Sequence, residues 1–344
     1  MLPLNAMVEQ MPKAELHMHL EGSLEADLLF ALSRRNGVAI NYKTEDDLRA
    51  AYNFTNLQSF LDIYYAGLTV LRKEQDFYDM TQAYLERARA DNVIHTEVFI
   101  SPQAHTRRDV PFAAMFNGID HALRDGEKRL GMTTRLILGI QRQFPEADAF
   151  AMVEQALPYH DRVAGIGMGG PEVGNPPGKF SRVFQRAREL GWRTMAHAGE
   201  EGPAAYVAEA VDVLKVDRID HGVRCDEDPA LMARLRDLQI PLTVCPISNV
   251  KLRVYPDLAT HNLKRLLDAG LCVTVNSDDP SYFDGYVNRN YIGCMEALGL
   301  SADDIYHLAR NSFIAAFLSD GERRNYLAAL DTFWTQNGGT LPRA

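Results

Sequence analysis

Short β-rich segments alternate with amphipathic helical patterns along almost the whole chain, and this periodic switch constrains the fold more than any single residue. Candidate strands lie at 14–17, 93–100, 133–140, 163–168, 192–197, 218–221, 241–245 and 271–276. Each is followed by a helix-length mixed pattern, which is the signature of parallel strands joined by helical crossovers, and eight such units predict a closed (β/α)₈ barrel. Residues 44–90 carry helical periodicity without a strand signal, so extra helices between the first and second strands, placed to serve as a lid, are expected. Further helices are predicted around 286–298, 302–317 and 321–334. No internal repeat or linker divides the chain, and residues 1–344 are read as one domain.

Charge narrows the partners. A net charge of −10 offers no basic stripe to a phosphate backbone, so nucleic acid is excluded as a partner and a small ligand is favoured. The N-terminal stretch lacks the flank and apolar segment of a signal peptide, and no run is long and apolar enough to span a bilayer; a cytosolic protein, free of membrane and compatible with a homo-oligomer, is expected. Cys225, Cys245, Cys272 and Cys294 have no C-x-x-C spacing and sit mostly in apolar runs, where reduced, buried thiols are the usual state.

The unusual polar residues fall at the carboxyl ends of the predicted strands, where barrel enzymes assemble their sites. The first strand ends in His17-Met18-His19, whose alternate side chains share one face; the fifth ends in His197-Ala198-Gly199-Glu200; the sixth in Asp220-His221-Gly222; the eighth in Ser277-Asp278-Asp279-Pro280. Taken singly, each has an ordinary structural explanation, such as a surface histidine or a helix cap. Helix caps and surface histidines have no reason, however, to gather at one end of strands one, five, six and eight. Three imidazoles and a carboxylate suit Zn²⁺ with a position left open for water. The zinc deaminases of flipped bases need P-C-x-x-C, which Cys245-Pro246-Ile247-Ser248-Asn249 does not supply. The fourth strand ends Gly167-Met168-Gly169-Gly170 without a lysine to bridge a second metal, so one ion per chain is expected.

These segments resemble the adenosine and adenine deaminases of the amidohydrolase superfamily. The likeness runs from about Pro12 to the last helices and rests on Glu15 to Ser23, His197 to Glu200, Asp220 to Gly222, Cys245 to Asn249 and Ser277 to Pro280. It implies that His17, His19, His197 and Asp278 hold zinc, and that Glu200 protonates ring nitrogen N1 of an adenine ring as water attacks C6. It further implies that His221 orients and helps deprotonate that water, that Asp279 contacts the purine, and that the Gly170 N–H lies against N3. Glu21 stands where adenosine deaminases carry a ribose-contacting aspartate; its extra methylene is expected to push a carboxylate about 1.5 Å further into the sugar's space. Tyr282 or Phe283 is expected to help close that region, while His105 and Tyr282 serve equally well as loop packing. The segments around Gly170, Ser101 to Thr106 and Asp279 to Phe283 resemble the adenine-deaminase branch. Hydrolysis of adenine to hypoxanthine and ammonia is therefore the leading expectation. The alternatives are a deaminase of adenosine or of a modified adenine nucleoside, a zinc hydrolase of amides or esters, and a barrel that binds purine without turnover.

Overall fold

The computed structural model describes residues 2–341. Eight parallel strands follow one another in chain order: β1 (Lys13–His19), β2 (Val93–Ile100), β3 (Thr133–Gln141), β4 (Gly165–Gly169), β5 (Arg193–Ala198), β6 (Arg218–His221), β7 (Leu242–Val244) and β8 (Val273–Val275). The ring closes between the end of β8 and β1, where His19 N–H donates to the Asp278 carbonyl (2.9 Å) and Asp278 N–H to the His17 carbonyl (3.0 Å). The barrel is thus sealed by the backbone of residues at its catalytic end. The helix Ala302–Ala315 straps the same seam from outside: Ser312 Oγ accepts the Ala14 N–H (3.0 Å) and Asn311 Nδ2 donates to the Val273 carbonyl (3.0 Å).

Alternation along the strands layers the interior. Deepest is the buried pair of Arg218 with Glu97 (2.6 Å); the guanidinium also donates to the Leu16 carbonyl (3.0 Å) and lies 4.4 Å from the Phe317 ring centre. The opposite charge of Glu97 is what makes such a buried guanidinium tolerable; its Nε lies 3.8 Å from Asp220 Oδ1 without a hydrogen bond. Phe99, two residues beyond Glu97 on β2, packs with Ile137 and with Met195, the β5 neighbour of Arg218, as an apolar floor. On that floor stand the imidazoles of His17, His19 and His197, with ring centres 5.6, 5.2 and 5.9 Å from that of Phe99.

Between β1 and β2 the expected insertion contains the helices Glu45–Ala50, Leu57–Gly67 and Glu74–Ala90. Asn56 caps the middle one reciprocally with Ser59, and its first N–H, at Leu57, donates to the Glu201 carboxylate (3.2 Å). That helix is thereby tied to the turn that follows β5. All four cysteines are buried and unpaired. No helix among the described residues is long and apolar enough to cross a membrane.

Candidate active site

His17 and His19 leave β1 on one face, and their Nε2 atoms each approach His197 Nε2 at 3.1 Å. Both also approach Asp278 Oδ1, at 3.3 and 3.4 Å. On the far side of its ring, His17 Nδ1 faces the Thr243 carbonyl (3.1 Å), which can only accept, and His197 Nδ1 faces the Asp220 carboxylate (3.2 Å). With the protons of His17 and His197 held at Nδ1, their lone pairs confront one another at Nε2, an arrangement that repels unless a cation lies between. Zn–N bonds of about 2.0–2.1 Å place tetrahedral neighbours about 3.3–3.4 Å apart, so the spacing of these donors fits such an ion. The ligand atoms of His17, His197, His221 and Asp278 also lie within 4.8 Å of one another, and His19 groups with Asp278 and Asp279. His221, however, looks toward Asp278 Oδ2 (4.0 Å), not toward the Oδ1 that the other imidazoles share. Asp278 and His221 both adopt left-handed backbone conformations (φ +64° and +62°), the kind of local strain that concentrates at functional sites.

The carboxyl groups divide into two electrostatic classes. Burial alone would raise the Asp278 pKa, but His17, His221 and His19 outweigh it and hold the group well below the usual range; Ser248 Oγ donates to its Oδ2 (2.6 Å). Glu200 is driven well above its ordinary value, first by burial and then by the negative charges of Asp278 and Glu172. Asp279 is raised likewise by burial, then by Asp278 and Glu21. Glu200 Oε1 and Asp279 Oδ1 have no protein partner among the described residues. A protonated carboxyl with a free oxygen is what proton donation to a ring nitrogen requires.

Glu172, buried just beyond β4, holds the turn that carries Glu200. Its Oε1 accepts the Gly199 N–H (2.7 Å), and its Oε2 accepts those of Glu200 (3.0 Å), Glu201 (2.8 Å) and Gly202 (2.7 Å). Arg142, also buried, donates to the carbonyls of His197 (2.8 Å) and Asn175 (3.0 Å). Neither role could be read from the sequence, where both residues resemble solvated loop charges.

The cleft above the histidines is walled by Leu57, Phe60, Leu61, Tyr64 and Tyr65 on one side and by Gly169 and Gly170 on the other. These five side chains sit at i, i+3, i+4, i+7 and i+8 of the inserted helix, a periodicity that announces an apolar face without saying what it covers. Gly170 has φ +88°, which strains any side chain, and a Cβ there would lie 2.6 Å from Gln143 Oε1 and have to push it aside.

Four side chains singled out in the sequence stand outside the cleft lining. Glu21 is not among the side chains that line the cleft: its Oε1 accepts from the Ser101 N–H (2.8 Å) and from His105 Nε2 (3.1 Å), while its Oε2 is buried without a protein partner among the described residues. His105 is held in that role by Arg108, which donates to its Nδ1 (2.9 Å), so it is packing. Tyr282 and Phe283 support the wall from behind, with ring centres 5.5 and 4.9 Å from that of Phe60, and do not line the cleft themselves.

The sequence profile described as adenosine deaminase matches residues 12–333. The chain belongs to the adenosine deaminase family. Within it, the chain is 56% identical over 339 residues to the adenine deaminase of Trichlorobacter lovleyi, covering 97% of each. It is 58% identical over 328 residues to that of Sphingopyxis alaskensis, covering 95% of this chain and 96% of the relative. The crystal structure of an adenine deaminase from Arthrobacter aurescens superposes with a TM-score of 0.93 at 50% identity, over 95% of this chain and 99% of that one. A Burkholderia ambifaria amidohydrolase with bound zinc gives 0.89 at 29% identity, over 98% and 95%.

One residue of this family member's first motif is tested by sterics alone. A Cβ on Gly22 would stand 2.0 Å from Asp279 Oδ1 and 2.6 Å from its Cα, so Gly22→Ala must displace Asp279. A displacement near 1 Å at a reacting group costs about 10²-fold. A loss of that order in kcat/KM is expected, and steady-state assay beside a melting curve checks it; unchanged kcat/KM would remove Asp279 from substrate contact.

Proposed function

We propose that this chain hydrolyses adenine to hypoxanthine and ammonia, using one zinc ion held by His17, His19, His197 and Asp278. The observation that carries the reading is the meeting, in one cleft, of converging lone pairs fit for a cation and a buried carboxyl, Glu200, held in its proton-bearing form. The names and similarity of the relatives support adenine as the substrate. Zinc, when bound, supplies a Lewis acid that lowers the pKa of a coordinated water toward neutrality.

The chain's own residues do the rest. Glu200 gives its proton to N1, drawing electron density from C6 and opening it to attack. His221 positions the attacking water. Asp279, itself packed on Gly22, contacts the purine edge, and the glycine at 170 lets the backbone N–H approach N3. The Leu57–Gly67 helix covers the ring and keeps bulk water out. Residues 1–344 act as one barrel domain with the insertion at 44–90 forming this cover; Met1 and residues 342–344 lie outside the described residues.

Discrimination against nucleosides is assigned to the helical wall in place of Glu21. Leu57, Phe60, Leu61 and Leu252 present no hydrogen-bonding group, so ribose hydroxyls among them would lose water without replacement. A single misfit methylene already costs about 10–200-fold, and a whole sugar should exceed that range. Comparing kcat/KM for adenine and adenosine on one zinc-loaded preparation tests the proposal. Adenine is expected to be favoured by more than about 10²-fold. Parity, or preference for adenosine, would overturn adenine as the substrate and leave the deaminase chemistry standing.

A further inference from the structure

Asn249 closes the Cys245-Pro246-Ile247-Ser248-Asn249 segment, and its side chain bridges two buried histidines, only one of which faces the cleft. The chain of hydrogen bonds can be oriented from its far end. The backbone N–H of Leu263 reaches His261 Nδ1 at 3.0 Å, and a backbone N–H can only donate. Nδ1 of His261 is therefore a lone pair. Burial lowers the His261 pKa to about 4, so the ring is neutral near pH 7 and carries its proton on Nε2. Nε2 lies 3.1 Å from Asn249 Oδ1 and donates to it. This fixes the amide: its oxygen faces His261 and its NH₂ faces His221 Nδ1, at 3.5 Å. The bridge is held firmly. Asn249 is wholly buried, its carbonyl accepts the Val254 and Tyr255 N–H groups (2.8 and 3.1 Å), and the Tyr255 ring lies 4.4 Å from that of His261.

We propose that Asn249 and His261 are positioning residues that fix His221 as the tautomer protonated on Nε2, so that His221 meets the attacking water as a hydrogen-bond donor. A second feature agrees. His221 Nε2 looks toward Asp278 Oδ2 at 4.0 Å, an ionised carboxylate oxygen that favours an N–H and would repel a lone pair. With Nε2 already protonated, His221 orients the water oxygen; one proton of that water replaces the proton that Glu200, 3.6 Å away, has given to N1, and the other leaves with the amino group as ammonia. Its share in deprotonating water, expected from the family resemblance, is replaced by orientation. The mechanistic meaning rests on the deaminase reading; the tautomer itself does not.

The test reads the tautomer directly. In zinc-loaded protein labelled with [¹⁵N]histidine, long-range ¹H–¹⁵N spectra distinguish a protonated from an unprotonated ring nitrogen, with His221 assigned by its loss in His221→Gln. The parent protein should show His221 Nδ1 unprotonated and Nε2 protonated. Asn249→Asp places an acceptor against Nδ1; it should move the proton there and lower kcat by about 10–10³-fold, with KM within a few-fold and zinc retained. His261→Gln preserves an N–H donor for Asn249 and should keep the parent tautomer, whereas His261→Leu should not. A protonated Nδ1 in the parent would overturn the proposal whatever the variants do, and so would an inverted tautomer with unchanged kcat. Because the spectra need no substrate, a failure here and a failure of adenine turnover appear in separate measurements.

Discussion

Glu200→Gln is expected to retain zinc and purine affinity while losing about 10²–10⁴-fold in kcat, the range that one positioned general acid contributes. The amide occupies the same volume but has no proton to release to N1. Its placement should survive, because the turn is held through the backbone N–H groups of residues 199–202 on Glu172 and not through the side chain at 200. Metal analysis, purine titration by calorimetry and steady-state rates on one preparation separate these effects. A variant within a few-fold of the parent rate would refute the role, and loss of zinc would show that the substitution had disturbed the cage instead.

Removal of one imidazole should be still more severe. His197 Nε2 stands 3.1 Å from both His17 and His19 Nε2, so His197→Ala takes away the donor that the other two share. Loss of a group that merely orients a metal ligand typically costs 10–100-fold in metal affinity or activity, and loss of a ligand should exceed about 10²-fold. The expected protein is largely metal-free after dialysis, nearly inactive, and not raised in melting temperature by added zinc, whereas the parent gains stability from the ion it binds. Full occupancy with unchanged turnover would dismiss His197 as a ligand, and two metals per parent chain would dismiss the one-ion reading.

The eight strands were legible because each is a short β-rich run followed by a helical pattern; 93–100 and 218–221 match the observed bounds, and β1 extends further to Lys13–His19. The chemical residues were legible for a related reason. A strand end fixes which way a side chain leaves the barrel, so motif and position together locate His17, His197, His221 and Asp278 in one place. What escaped the sequence depends on tertiary direction. Glu21 stands where the family resemblance implies a sugar contact, yet two donors, Ser101 N–H and His105, hold one of its oxygens outside the cleft lining. Glu172 and Arg142 carry no signal in the sequence, because their partners are backbone groups of distant loops, which no local pattern announces. Phe60 and Tyr64 lie in a segment whose sequence shows helical periodicity, and only packing reveals that their side chains line the cleft.

The helix Leu57–Gly67 also separates two kinds of heredity in the molecule. The groups proposed for bond making and breaking project from strand ends whose geometry the closed ring dictates, while much of the surface that judges the shape of the substrate arrives on a segment inserted between β1 and β2. Exchanges at Leu57, Phe60 or Leu61 can therefore redraw what enters without moving a ligand atom of the cage. A lineage built this way can wander among purine-like substrates by editing one helix and still inherit its chemistry intact.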